Sequence, residues 1–270
     1  MSTESRKQLL VGLRGSGKST YLAALWHQVE SAEIPTSLRV PTLQADREYL
    51  NALRKKWLTF EPLERTAMGA EQTVTLTLER EDGSARADVL FPDLSGESYK
   101  QQWVERRTTQ QYADHVATAR GIILFVHPLL VVRPERVEPG SVSADTPWDP
   151  ERTPTQVQLV EILQFIRYLD PLQRPLPVAV VVSAWDTVAK GVRPRDWLSR
   201  SLPLLDQFLT TNYDGASLRA YGVSALGGHL PDEIDTLKRV NPPSRRPYLV
   251  DEANRRYEDI GMPIRWLLDN

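Results

Sequence analysis

The residues with the most to offer chemically are Gly-Leu-Arg-Gly-Ser-Gly-Lys-Ser at 12–19, which follow the apolar run Leu9-Leu10-Val11 and open a stretch with helical spacing. Their pattern, G-x-x-x-x-G-K-[ST], is that of a phosphate-binding loop. Gly12, Gly15 and Gly17 permit backbone angles closed to other residues, so successive N–H groups turn inward around an anion. Arg14, Ser16 and Thr20 complete the loop and the first helical turn, whose positive end adds to the attraction. Lys18 would reach the β- and γ-phosphates, and the Ser19 hydroxyl would take one Mg²⁺ position.

Three further groups stand directly after apolar, strand-like runs: Asp93-Leu94-Ser95-Gly96, Ser183-Ala184-Trp185-Asp186 and Ser224-Ala225. In a doubly wound sheet, ligands bind outside the carboxyl ends of the strands, so all four groups would share one edge. Asp93 sits where the second Mg²⁺-organising carboxylate belongs, and Gly96 lets a backbone N–H approach the γ-phosphate. Asp186 is a candidate base reader. A carboxylate accepts from guanine's N1–H and exocyclic amine, whereas adenine would leave it unpaired, a mismatch that costs a polar site orders of magnitude. Ser224 and Ala225 would turn a backbone N–H toward the guanine oxygen.

The elements that must position these groups read as alternating strands and helices. A strand at 7–11 leads to a helix over 19–30 with Leu22, Leu25, Trp26 and Val29 on one face, and 43–58 repeats Tyr49, Leu50, Leu53 and Trp57 at helical spacing. Val74, Leu76 and Leu78 alternate in a half-buried strand, Asp82-Gly83 marks a hairpin turn, and Ala87, Val89 and Phe91 form the return strand. Residues 98–119 are expected to be helical, anchored by Tyr99, Trp103, Tyr112 and Val116, before the buried strand 121–126. Later expectations are a helix with the stripe Val157, Val160, Leu163, Ile166 and Leu169, and another through Trp197, Leu202, Leu205, Phe208 and Leu209. Helical segments near 249–259 and 264–268 finish the chain, while 128–154 and 226–247, rich in proline and polar residues, read as insertions.

The expected architecture is an α/β, doubly wound, mostly parallel sheet of about six strands with one antiparallel edge strand and helices on both faces, as one domain over 1–270. A net charge of −2 gives no footprint for nucleic acid. The absence of cysteine excludes disulfides, a thiol nucleophile and cysteine-ligated zinc. His27, His115, His127 and His229 lack metal-ligand spacing and read as structurally neutral. No apolar run is long enough to span a bilayer and no signal-peptide core opens the chain, so a cytoplasmic location is expected.

Taken in order, GLRGSGKS (12–19), DLSG (93–96), SAWD (183–186) and SA (224–225) resemble the Ras-like GTPases of the P-loop superfamily. The stretch GLRGSGKSTYLAALW together with SAWD is similar to the bacterial double-GTPase proteins. The resemblance implies GTP/GDP and Mg²⁺ as ligands, with Lys18 on the β/γ-phosphates, Ser19 and Asp93 at Mg²⁺, Gly96 on the γ-phosphate and Asp186 on guanine. It implies nucleotide-sensing switch regions around 60–70 and 94–110 that dock a protein effector or activator. Thr66 is the candidate for the switch threonine at Mg²⁺. Glu97 stands where the family often has a water-orienting Gln; a carboxylate accepts from water but donates nothing to the phosphoryl oxygen, so turnover should be slow. Arg14 occupies a loop position that often holds a small residue, and Arg106 and Arg107 are alternative arginines acting within the chain. Ser183 and Ala184 replace the family's Asn or Thr and Lys, removing the lysine stem that packs on the base; Trp185 is the candidate substitute. The expected function is a slow GTPase switch. A non-hydrolysing nucleotide-binding scaffold is the alternative, ahead of a P-loop ATPase or kinase, and neither the pathway nor the oligomeric state is legible.

Overall fold

The computed structural model describes residues 5–41, 46–63, 73–92, 101–134 and 150–270, the side chains of 101, 103 and 151 excepted. Thr66, Asp93, Gly96, Glu97 and Tyr99, the side chain of Trp103, most of the expected switch region at 60–70 and the first part (94–100) of the one at 94–110 therefore lie outside the described residues. Nine strands form one sheet among those described: β1 (Ser5–Gly12), β2 (Leu38–Arg39), β3 (Thr73–Arg80), β4 (Arg86–Pro92), β5 (Ala119–Val126), β6 (Val178–Val182), β7 (Leu218–Ser224), β8 (Tyr248–Val250) and β9 (Arg256–Tyr257). Their order is β2-β3-β4-β1-β5-β6-β7-β8-β9.

β4, β1, β5, β6 and β7 run parallel, with Leu9 opposite Leu90, Leu10 opposite Ile123, Val126 opposite Val182 and Val182 opposite Gly222. The carboxyl ends of these five strands consequently lie along one edge. β3 pairs antiparallel with β4, as the Asp82-Gly83 turn requires. The sheet is larger than the six strands expected, and β3 is not its edge, because β2 pairs antiparallel outside it. At the other side β8 and β9 add two more antiparallel strands.

Alternation along each central strand sorts the core into two layers. On one face Leu10, Ile123, Phe125, Val181 and Val223 pack against α1 (Lys18–Ser31), α2 (Arg47–Thr59) and the last helix, Met262–Asp269. On the other, Leu9, Val11, Ile122, Leu124 and Val180 meet α3 (Gln110–Thr118), α4 (Thr155–Leu169), α5 (Pro194–Ser201) and α6 (Pro203–Asn212). Both faces are thus covered, and each fully buried Leu, Ile or Val contributes about 1.5–3 kcal/mol by leaving water.

α1 carries the functional loop at its start and is held more firmly than an amphipathic surface helix. Every residue from Tyr21 to Val29 is buried. Its second side is covered by the end of the chain: the Tyr21 hydroxyl donates to the Ile260 carbonyl at 2.9 Å, and Gln28 Nε2 donates to the Ser244 and Glu258 carbonyls, each at 2.8 Å. These bonds satisfy polar groups that burial would otherwise penalise.

Several expected elements shift for local reasons. The 98–119 segment contains a π-helical turn at Gln101–Glu105 and then α3, whose cap is Thr109, accepting from the Tyr112 N–H at 3.3 Å. The stripe on α4 is rotated: Leu159, Ile162, Leu163, Phe165 and Ile166 are buried, while Val157 is exposed. The helix expected through 197–209 is two helices, because Pro203 starts a new one after Leu202 closes α5. The 249–259 segment is not helical; Asp251 accepts from the Ala253 and Arg255 N–H groups and turns β8 into β9, with Asn254 left-handed at φ 62°. Among the described residues no helix is long and apolar enough to cross a membrane.

Candidate functional site

The glycine-rich loop leaves the end of β1 and is closed on itself by Lys18. Its ammonium donates to the Gly12 and Leu13 carbonyls at 2.7 and 2.9 Å and to Ser16 Oγ at 3.2 Å. Ser16 also donates its N–H to the Leu13 carbonyl, at 3.2 Å. α1 begins at Gly17, which offers no side-chain cap, and no acidic residue stands in the first turn. The positive helix end is therefore left to an outside anion. Gly17 is left-handed (φ 90°), and a Cβ there would lie 2.8 Å from Ser183 Cβ. That contact brings the loop against the start of the 183–186 group. Ser19 and Arg14 are exposed, and neither side chain has a hydrogen-bond partner among the described residues.

Beyond β6, Ala184 takes a left-handed conformation (φ 43°) that reverses the two residues after it. Trp185 goes inward, 7% exposed, packed with Val182 and Val250 and lying flat on Gly222, where a Cβ would come within 2.1 Å of its ring. It does not line the cavity described below. Asp186 goes outward. Its Oδ1 accepts from the Ser224 hydroxyl, which itself accepts the Gly227 N–H at 3.0 Å. Ser224 is wholly buried, so its side chain orients Asp186, a role its sequence position gave no sign of.

A cavity of about 220 Å³ opens where these pieces meet. Gly17 and Thr20 line its phosphate-loop end; Ser183, Ala184, Asp186 and Thr187 form one wall; Ala225, Leu226, Gly228, His229 and Leu230 form another, with His127 and Leu129 from the turn after β5. Of the expected site residues, the structure brings Gly17, Thr20, Ser183, Asp186 and Ala225 together on this cavity. β4 ends at Pro92 on the same sheet edge; Asp93, Gly96, Glu97 and Thr66 lie outside the described residues. Arg106, largely exposed, pairs with Glu161 of α4 at 2.6 Å.

Sequence reasoning missed His127, His229 and the apolar lining of Leu129, Leu226 and Leu230. The signal for His127 was present: it is the first residue past β5, the position that singled out the other groups. Burial lowers the His127 pKa below the usual histidine range, and the charge of Asp186 opposes that shift. Among the described residues no cluster of three or more His, Asp or Glu could hold a metal.

The 226–247 stretch packs against the end of α2. It contains a short helix α7 (Ile234–Lys238) and ends on Arg246, 4% exposed, whose guanidinium lies 4.1 Å from the Trp57 ring and 4.6 Å from the Phe60 ring. Trp57 Nε1 in turn donates to the Ala225 carbonyl at 2.9 Å, and a Cβ on Gly227 (φ 92°) would strike the Arg246 carbonyl at 2.2 Å. α2, Arg246 and the cavity wall are thus one packed unit. Arg246→Ala should lower unfolding stability by about 2–3 kcal/mol, through two desolvated cation–π contacts and the space left behind. A urea titration read by tryptophan fluorescence measures it; a change within about 0.5 kcal/mol would mean the rings hold their places without it.

No curated protein sequence matches this chain. Translation elongation factor SelB of Methanococcus maripaludis, solved in complex with the GTP analogue GppNHp, matches over 88% of this chain at 12% identity and a TM-score of 0.40. The chain spans 33% of that structure's chain. The sequence model of Double-GTPase 1 matches residues 9–267, and the chain belongs to that family.

Proposed function

We propose that the chain binds a guanine nucleotide with Mg²⁺, hydrolyses GTP to GDP slowly, and passes its nucleotide state to a protein partner through the regions near 60–70 and 94–110. One observation carries the reading: the phosphate-binding loop, through Gly17 and Thr20, and the carboxylate of Asp186 line a single cavity. A base against Asp186 would then have its phosphates directed to the start of α1. The family supports the same reading.

Ser19 is suited to Mg²⁺, a hard cation that prefers oxygen ligands. Its hydroxyl is exposed in the first turn of α1 and uncommitted among the described residues. Asp93 and Thr66 would complete the protein's share. When bound, the ion supplies charge neutralisation at the phosphate oxygens.

The remaining work falls to the chain itself. Lys18 and the N-terminal amides of α1 bind the phosphate oxygens and stabilise charge that grows on them. Arg14, exposed beside the loop, adds a further positive charge. Glu97 accepts a hydrogen bond from the attacking water and orients it, but as a carboxylate donates none to the phosphoryl group. Slow turnover follows. In a single-turnover assay, phosphate release from GTP should depend on Mg²⁺ and stay below about 10⁻² s⁻¹, in the range of unassisted GTPases. Release equal to a protein-free blank would contradict hydrolysis and leave a nucleotide-binding scaffold.

A further inference from the structure

His127 lines the cavity without any part in the reading above, on which the following rests. Its ring Nδ1 accepts the Leu129 N–H at 3.2 Å, closing the one-turn helix Pro128–Leu130. In the neutral ring the other nitrogen must then carry the proton, so Nε2 is a donor. The ring is half-buried, burial favours its neutral form, and Nε2–H meets no acceptor among the described residues.

The neighbouring polar side chains have spent their protons. Ser183 Oγ donates to the Val126 carbonyl at 3.2 Å, Thr187 Oγ1 to the Ala184 carbonyl at 2.8 Å, and Ser224 Oγ to Asp186. Thr20 belongs to the phosphate end of the cavity, on α1. His229 is about half exposed, with its Nε2 3.9 Å from Asp232. The Ser183 hydroxyl is turned back to β5. The cavity thus offers an acceptor in Asp186 and a donor in His127, on the turns after β6 and β5.

A guanine ring has complementary edges: N1–H and the exocyclic amine donate, while N7 accepts from the other side. We infer that His127 is a second base reader, its Nε2–H donating to N7 of the guanine whose opposite edge Asp186 holds. Specificity would come from two side chains facing each other across the base.

The test is a titration of GDP and 7-deaza-GDP, in which a C–H replaces N7, with Mg²⁺ present, against the wild-type chain and His127→Asn. Asparagine can still accept the Leu129 N–H as a local cap but is too short to replace Nε2. The wild type should bind 7-deaza-GDP about tenfold more weakly than GDP, the worth of one hydrogen bond. His127→Asn should lose about tenfold for GDP and bind the two ligands equally. Equal binding of both ligands by the wild type, or unchanged discrimination in His127→Asn, overturns the inference while leaving the guanine reading intact. Failure of the wild type to bind GDP at all overturns the guanine reading itself, and the inference with it.

Discussion

Lys18→Ala should reduce nucleotide affinity by at least about 100-fold, because a charge-assisted contact to phosphate is lost from the centre of the loop. The side chain also has a second task. With its ammonium held by the Gly12 and Leu13 carbonyls and Ser16 Oγ, it fixes the curvature of the loop before any ligand arrives. Removal leaves two carbonyls without that donor, at a cost of about 1–2 kcal/mol in stability. The two effects separate in measurement: calorimetric titration with GDP reads the first, and the thermal unfolding midpoint without nucleotide reads the second. A variant that keeps GDP affinity within threefold would show that phosphate is bound elsewhere, whatever its stability.

Asp186→Asn is the second large effect. The carboxylate presents only acceptors, which match the N1–H and amine of guanine. The amide presents a donor as well, which matches the C2 carbonyl of xanthine. Affinity for GDP should fall by about 100-fold and affinity for xanthosine diphosphate should rise by tenfold or more, as expected when a buried polar partner is mismatched and then restored. The geometry favours a clean exchange. Ser224 donates to Oδ1 of Asp186, and an asparagine can accept the same bond through its amide oxygen, keeping its nitrogen toward the cavity.

Much of this was legible from residue types and spacing because the fold puts chemistry at strand ends. Continuous apolar runs such as Val178–Val182 identify strands buried on both faces, and the polar residue that follows each is then forced to one edge. Ser183–Asp186 and Ser224–Ala225 stand out in this way, whereas Gly12–Ser19 announces itself by its own pattern. The three extra strands were not, since β2 and β9 have two residues each and β8 three, too few to show any period. The direction of Trp185 was also out of reach. It accompanies a left-handed Ala184, a conformation that residue type does not announce. For His127 the informative feature is its place directly after β5, not metal-ligand spacing. The packing of Arg246 between Trp57 and Phe60 joins residues almost two hundred apart, which only the folded chain reveals.

One cavity joins the phosphate-binding loop to Asp186, the carboxylate proposed to read guanine. Competition among GDP, ADP and xanthosine diphosphate for the wild-type chain and for Asp186→Asn tests that reading most directly. GDP should bind most tightly to the wild type and xanthosine diphosphate most tightly to the variant. Preference for ADP by the wild type, or an unchanged order in the variant, would contradict it.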